Sequence, residues 1–333
     1  MHAARNVLTP DTFMMVDAIS RNGSFAAAAR ELGVVPSALT YRVRQLEDAL
    51  DVLLFDRSAR QAQLTDAGRE LLREGQRLLL EMDAVASRVK RVATGWEAQL
   101  TICVDGLVSE ATVLELCDAF YSDNPPIALS AAAASSALSN AKEGPPTKLK
   151  LMKGTLAGTW EALLTGVADL VVGAVVESPA NSGLATQPLG EVAFVFCVAP
   201  CHPLAQHAAP LSDQDIQAQR AIAVADSAVR MAPTTVGLLP GQRVLTVATL
   251  EQKLHAQLRG LGCGFLPEPL ARAYIQQGRL VVKETQQTQR TSRLVYGWRL
   301  SNHAPGFALQ WWLNQLGSDT TRKALLERHG VAV

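Results

Sequence analysis

In the N-terminal part of the chain the apolar positions repeat with a helical period and are interrupted at glycine. Thr9-Pro10 opens a first helix, with threonine as N-cap and proline in the first turn, where its missing N–H costs nothing. Phe13, Val16 and Ile19 supply the apolar face of that helix. Asn22-Gly23-Ser24 ends it and caps a second helix over 25–32, whose alanines allow close backbone approach, and Gly33 permits a left-handed turn. A third helix starts at Pro36, with Leu39, Val43, Leu46 and Leu50 on one side and Ser37, Thr40, Tyr41 and Arg44 on the other. A helix, a glycine turn and a helix with a donor-rich outer face make a helix-turn-helix, whose second member lies in the major groove of DNA. Residues 52–55 then read as a strand, 56–61 as a charged tip carrying Arg57 and Arg60, and 62–65 as a return strand. Such a wing reaches phosphate or a narrow minor groove.

Asp66 begins a long helix extending to about residue 94, with Thr65 as its cap. Leu71, Gly75, Leu78, Met82, Val85, Val89 and Val92 follow one another at alternating steps of four and three. A heptad stripe flanked by charge is the pattern of a coiled-coil seam, and dimerisation through it would let two recognition helices read two half-sites. A core-facing helix is the other reading of the same stripe.

After Thr94-Gly95 the period changes. Strands are predicted at 99–104, 148–152, 169–175, 192–199, 222–225, 264–266 and 293–300, with helices at 109–121, 159–164, 250–259 and 306–316. Alternation of this kind predicts an α/β fold with a largely parallel sheet. The length accommodates two α/β subdomains with a ligand between them, at the carboxyl ends of the strands. Residues 127–147, rich in alanine and serine and closed by Gly-Pro-Pro, read as a surface loop.

A chain of 333 residues, 48% hydrophobic and 19% charged, is that of a globular protein with more than one domain. It has no apolar run of the roughly 18 residues that a membrane span needs and no secretory leader, so a cytoplasmic protein is expected. The formal net charge is zero, so any cationic surface must be local, and the arginines at 42, 44, 57 and 60 supply one. Five cysteines and six histidines show no metal-ligand spacing, and no cofactor motif is present. Cys197 and Cys201 lie four apart beside His202, a spacing that admits a redox pair. The alternation of Cys197 with Phe194 and Phe196 in an apolar strand favours a buried structural thiol instead.

The segment GSFAAAARELGVVPSALTYRVRQLEDALDVLLFDRSARQAQLTDAGRELL, residues 23–72, resembles the N-terminal domain of LysR-type transcriptional regulators. GTWEALLTGVADLVVGA, residues 158–174, resembles a helix and strand of that family's effector domain, which is similar in fold to periplasmic binding proteins. The resemblance implies a winged helix-turn-helix over 1–65, a dimerisation linker helix over 66–94 and an effector-binding domain over 98–333. Within the last, subdomain I would comprise 98–175 and 290–333, and subdomain II 176–289. It further implies a homodimer or homotetramer on an imperfect double-stranded DNA dyad, with the dimer held through Leu71, Leu78, Met82, Val85 and Val89. A small-molecule effector would change DNA bending, and RNA polymerase would be a partner at the promoter.

By position, base reading falls on Pro36, Ser37, Thr40 and Tyr41, with Arg44 beside them and Arg57 and Arg60 on the wing. The effector pocket falls on Leu107, Val108, Ser109, Gly154, Thr155, Asp226, Ser227, Thr246 and Val247. Residues 95–105 with GTWEALLTG look closer to the branch whose better-known members respond to aromatic or quinone-like compounds. Few charges map onto the pocket loops, which suits a neutral effector, although a carboxylate could be held at the helix starting near Ser109. Two departures stand out. Asp51 occupies a position where the family usually has glycine, which aspartate tolerates, and the 127–147 stretch is an insertion. An enzyme fused to a DNA-binding head is the main rival, but no nucleophile with its base, paired carboxylates or phosphate loop is found. A nucleoid protein binding DNA without a ligand would leave the α/β part unexplained.

Overall fold

Capping at the helix ends sets the geometry of the N-terminal part. The computed structural model describes residues 6–56, 62–122, 145–175, 183–207, 210–286, 290–300 and 304–329. The chain forms two compact units, 1–89 and 90–333. In the first, α1 (Pro10–Asn22) starts at Thr9, whose Oγ1 accepts from Thr12 N at 3.3 Å, and stops at Gly23, left-handed at φ 61°. Helices α2 (Phe25–Glu31) and α3 (Pro36–Leu50) follow. Helix α3 ends on Asp51, which adopts the left-handed conformation (φ 55°) expected at this position. Val16, Ile19, Ala28, Leu39, Val43 and Leu46 form the core of these three helices.

The wing strands are shorter than predicted: β1 (Phe55–Asp56) pairs antiparallel with β2 (Gln63–Leu64). Side chains account for the difference. The buried carboxylate of Glu47 accepts from Leu54 N at 2.8 Å and Phe55 N at 3.3 Å, and Thr65 Oγ1 donates to Leu53 O at 2.7 Å. The groups that would have lengthened the ladder are therefore partnered from α3 and from the start of the next helix. That helix, α4 (Asp66–Thr94), is capped by Thr65, whose Oγ1 accepts from Gly68 N at 3.0 Å. A Cβ at Gly75 would stand 2.4 Å from the Phe13 ring, so glycine is required where α4 crosses α1.

In the second unit β3 (Gln99–Asp105) pairs in parallel with β4 (Lys148–Gly154) and β5 (Leu170–Val175). The rest of the sheet corrects the expectation of largely parallel pairing. Strands β6 (Leu184–Val198) and β11 (Arg290–Arg299) are antiparallel to each other, and β11 is antiparallel to β5. Strand order is β10-β6-β11-β5-β3-β4, with β9 (Gly264–Pro267) and β10 (Val281–Val282) also antiparallel on β6. Two long strands that leave one lobe and return to it must run in opposite directions, which the shorter segments read from sequence did not reveal. A separate parallel pair, β7 (Ala221–Val224) and β8 (Val244–Val247), completes the second lobe.

Around these strands lie α5 (Glu110–Ser122), α6 (Ala157–Leu164), α7 (Asp213–Gln217), α8 (Leu250–Leu258), α9 (Glu268–Gln276), α10 (Phe307–Gly317) and α11 (Asp319–Glu327). Helices α7, α9 and α11 were not anticipated from periodicity. The first-lobe core joins Leu100, Ile102 and Leu170 to Trp312, and Trp311 meets Phe120 edge-on at 5.2 Å. In the second lobe, alternate residues of β6 serve opposite faces: Phe196 and Val198 pack with Ile216 and Cys263, and Cys197 packs with Leu254 and Leu266. The predicted loop at 127–147 lies outside the described residues except for its last three. Of these, Thr147 is buried and its Oγ1 donates to Glu97 O at 2.6 Å.

Replacing Glu47 by alanine leaves the N–H groups of Leu54 and Phe55 without their partner in a buried setting. A loss of about 1–3 kcal/mol from the N-terminal unit is expected, read as a lower urea midpoint for the corresponding transition.

Candidate DNA-reading face and effector cleft

The outer face of α3 is fixed by its inner one. Leu39, Val43 and Leu46 are buried, which turns Pro36, Ser37, Tyr41 and Arg44 to solvent. Thr40 is half-buried and its Oγ1 donates to Pro36 O at 3.0 Å, leaving the oxygen's lone pairs outward. Tyr41 is 62% exposed, with its Oη accepting from Gln45 Nε2 at 3.0 Å. Arg57 and Arg60 lie outside the described residues.

Along α4, Leu71 packs beside the N-terminal core and Gly75 is covered by Phe13, so both are used within their own unit. The predicted stripe is open only from Leu78 onward. Leu78, Met82, Val85 and Val89 are exposed by 41–66%.

In the second unit the proposed pocket positions separate into two groups. Leu107 and Val108 are buried in the first-lobe core, and Gly154 is enclosed by Cys103 and Thr159. Ser109 faces α11: its N–H donates to Leu325 O at 2.8 Å and its Oγ to Arg328 O at 2.7 Å, while that Oγ accepts from Thr112 N at 3.2 Å. Ser109 is thus a cap and an anchor, with its N–H and Oγ both engaged within the first lobe.

Thr155, Asp226 and Ser227, in contrast, converge. Thr155 N donates to Ser227 Oγ at 2.9 Å, and Ser227 N donates to Thr155 O at 3.3 Å. Thr246 and Val247 lie on β8 alongside, with Ala225 N donating to Val247 O at 2.8 Å. The first turn of α6 meets this loop so closely that a Cβ on Gly158 would lie 2.1 Å from Ser227 Oγ and 2.5 Å from its carbonyl carbon.

Sequence reading missed three carboxylates here. Asp105, at the carboxyl end of β3, is buried beneath α6; it accepts from Leu107 N at 3.0 Å and Thr159 Oγ1 at 3.0 Å. Burial pushes this carboxyl up from 3.8 to about 6, against the pull of these hydrogen bonds and with help from the nearby charge of Asp226. Glu161, one turn into α6, accepts from Val229 N, Arg230 N and Met231 N, the last at 2.7 Å. Burial works to raise it, but these N–H groups outweigh burial and hold it below the ordinary glutamate value. Glu251, at the start of α8, shares Lys153 with Glu110, each at 3.3 Å. A carboxylate at the end of an apolar strand was the available signal for Asp105; none marked Glu161 or Glu251.

Cys197 is fully buried and burial pushes its thiol up to about 12, whereas Cys201 is exposed. A peroxide-reactive thiol needs the opposite shift. No cluster among the described residues could hold a metal ion, and no helix of the described chain is long and apolar enough to cross a membrane.

Two sequence profiles match this chain: "Bacterial regulatory helix-turn-helix protein, lysR family" over residues 11–69 and "LysR substrate binding domain" over 135–320. Among curated proteins it is 35% identical to the uncharacterized HTH-type transcriptional regulator YeeY of Escherichia coli K12 over 306 residues, covering 92% of each chain. The chain belongs to the LysR family. A second relative of this LysR-type protein is the probable HTH-type transcriptional regulator YhaJ of the same organism, 37% identical over 314 residues, covering 94% of this chain and 97% of that one. Full-length CbnR solved with its target DNA shares the fold at a TM-score of 0.58 and 17% identity, covering 92% of this chain and 98% of that one. The Vibrio cholerae virulence activator AphB does so at 0.51 and 17%, covering 94% and 98%. This LysR-type chain is accordingly a DNA-binding transcriptional regulator with an effector-binding domain, and its relatives are regulators rather than enzymes.

Asp105 carries a pH dependence of definite sign. Its folded value lies above the ordinary one, so its contribution is fully present below about pH 4 and is lost as pH rises through about 6. Relative to Asp105→Asn, the native C-terminal unit should lose on the order of 2–3 kcal/mol between pH 4 and pH 7. Paired urea titrations of both proteins across that range provide the check.

Proposed function

We propose that this LysR-type regulator acts in the cytoplasm as a dimer or tetramer on an imperfect DNA dyad, its bending of DNA altered by a small molecule held between the lobes of the second unit. RNA polymerase is then its partner at the promoter. In this reading residues 1–65 bind DNA, 66–94 pair the protomers, and 98–333 hold the effector between a lobe of 98–175 with 290–333 and a lobe of 176–289. The observation that carries the DNA assignment is the outer face of α3, which presents Ser37, Tyr41 and Arg44 over a fully packed inner face. Pro36 and Thr40 complete the surface that enters the major groove, and Arg57 and Arg60 contact phosphate or the minor groove from the wing.

Pairing through α4 is supported by the open stripe from Leu78 to Val89, an apolar row that a second copy would cover. For the effector, Thr155, Ser227, Thr246 and Val247 offer hydroxyl and apolar surface together with the Asp226 carboxylate. That composition favours a small, weakly polar molecule, with phenols and quinone-like compounds the first class to try.

Duplexes recovered by selection from random-sequence DNA give the assay. Arg44→Ala should weaken binding by roughly ten- to a hundredfold in fluorescence anisotropy while leaving the mass in solution unchanged. Loss of the oligomer in this variant would remove Arg44 from the DNA face. The double replacement Leu78→Glu with Met82→Glu should reduce the light-scattering mass to that of one chain; an unchanged mass refutes the seam. A thermal-shift screen of the full chain with phenols, quinones, aromatic acids and amino acids tests the cleft. A ligand of the native state raises the melting temperature by an amount set by RT ln(1 + [L]/Kd), and Thr155→Ala with Ser227→Ala should diminish that rise.

A further inference from the structure

Residues 225–243, between β7 and β8, have no regular secondary structure. An irregular connection of that length inside a packed unit is uncommon unless it has a task of its own. Its first half is tied to the other lobe by two carboxylates working in opposite directions. From the loop, Asp226 reaches the first turn of α6: Oδ2 accepts from Ala157 N at 3.2 Å and Oδ1 from Gly158 N at 3.0 Å. The same two oxygens accept from the loop itself, Thr234 N at 2.7 Å and Ala228 N at 2.9 Å. From α6, the Glu161 carboxylate reaches back and takes the N–H groups of Val229, Arg230 and Met231. Ser227 and Thr155 close the gap between them with reciprocal hydrogen bonds, over a glycine at 158 that leaves no space for a side chain.

Little apolar surface holds the segment down: Val229 is 88% exposed. The attachment is polar: apart from the Ser227 N–H on Thr155 O, it runs through the side chains of Asp226, Glu161 and Ser227 to backbone groups. Charge-assisted bonds of this kind hold a geometry firmly while they last, but water replaces them readily once one end swings free, in contrast to a buried apolar contact. A further polar link, Lys153 between Glu110 and Glu251, joins the same lobes.

We propose that residues 226–234 form a releasable strap, in which Asp226 and Glu161 clasp the second lobe to α6 and keep the inter-lobe cleft shut until an effector competes for these groups. The proposal rests on the reading that the cleft admits the effector, and concerns how entry is controlled.

Hydrogen–deuterium exchange of the full-length protein without any ligand tests the strap. In the native protein, peptides covering 226–234 and 155–161 should exchange more slowly than expected for an irregular segment. Asp226→Ala should raise exchange in both at least tenfold while peptides from β3 and β5 stay within twofold of native. Glu161→Gln, which keeps one acceptor oxygen, should raise exchange at 229–231 only, by a few-fold. Free exchange of 226–234 in the native protein overturns the strap, as does an Asp226→Ala protein with unchanged rates there or with equal loosening in β3 and β5. If Asp226→Ala does not accumulate as folded protein, Asp226→Asn is read by the same criteria. Because no effector is present, exchange reads the clasp alone: a clasp that behaves as described while no compound ever stabilises the chain overturns the effector reading, and with it release by an effector, but not the clasp. An overturned strap leaves the effector reading untouched.

Discussion

The first N–H groups of a helix have no partner inside the helix, and in the second unit everything near the cleft follows from how that deficit is met at α6. Its first turn lies above the carboxyl end of β3 and faces the second lobe, so it can be satisfied from below or from across the cleft. Asp226 supplies a carboxylate to Ala157 N and Gly158 N from across, while Asp105 holds the Thr159 hydroxyl and the backbone of Leu156 from below. The charge of Asp226 adds to the burial that raises Asp105, and the two acids meet one short stretch of chain. The result is a buried carboxyl that prefers its proton in mildly acid conditions and a second carboxylate that divides its oxygens between α6 and its own loop.

The N-terminal unit solves the same problem by local means. Thr9 and Thr65 cap their own helices, and Glu47 replaces missing strand pairing at the root of the wing. Its helix ends and wing root are therefore satisfied by residues near in sequence, and its one long-range crossing, Phe13 on Gly75, is apolar. The second unit depends instead on contacts between residues about seventy apart, such as 226 with 157 and 229 with 161.

That contrast also explains what was legible in the sequence. The helix-turn-helix, the long helix and the left-handed Asp51 follow from local rules, namely a 3.6-residue period, Thr-Pro starts and a residue that tolerates positive φ, and the structure agrees with them. The wing strands were overestimated because Glu47, buried on the inner side of α3, does the work of a ladder. The parallel character of the sheet was overestimated because the lengths of β6 and β11 are set by their pairing with each other, which no local window contains. Ser109 has the look of a helix cap open to ligand, but its hydrogen bonds go to α11, a helix that periodicity did not reveal. Of the pocket positions inferred from resemblance, Thr155, Asp226 and Ser227 are brought together, while Leu107, Val108 and Gly154 are spent on packing.

Leu156, immediately before α6, stands at φ 53° and ψ −125°, a conformation that residues with a side chain avoid at a cost of about 1–3 kcal/mol. It lies between two restraints, Asp105 hydrogen-bonded to its own backbone and Asp226 on the residues that follow. Only the second belongs to the other lobe. The contact between the lobes and the disfavoured residue are therefore immediate neighbours in the chain: the two N–H groups that Asp226 binds follow directly on the one leucine whose side chain is set against its own backbone conformation.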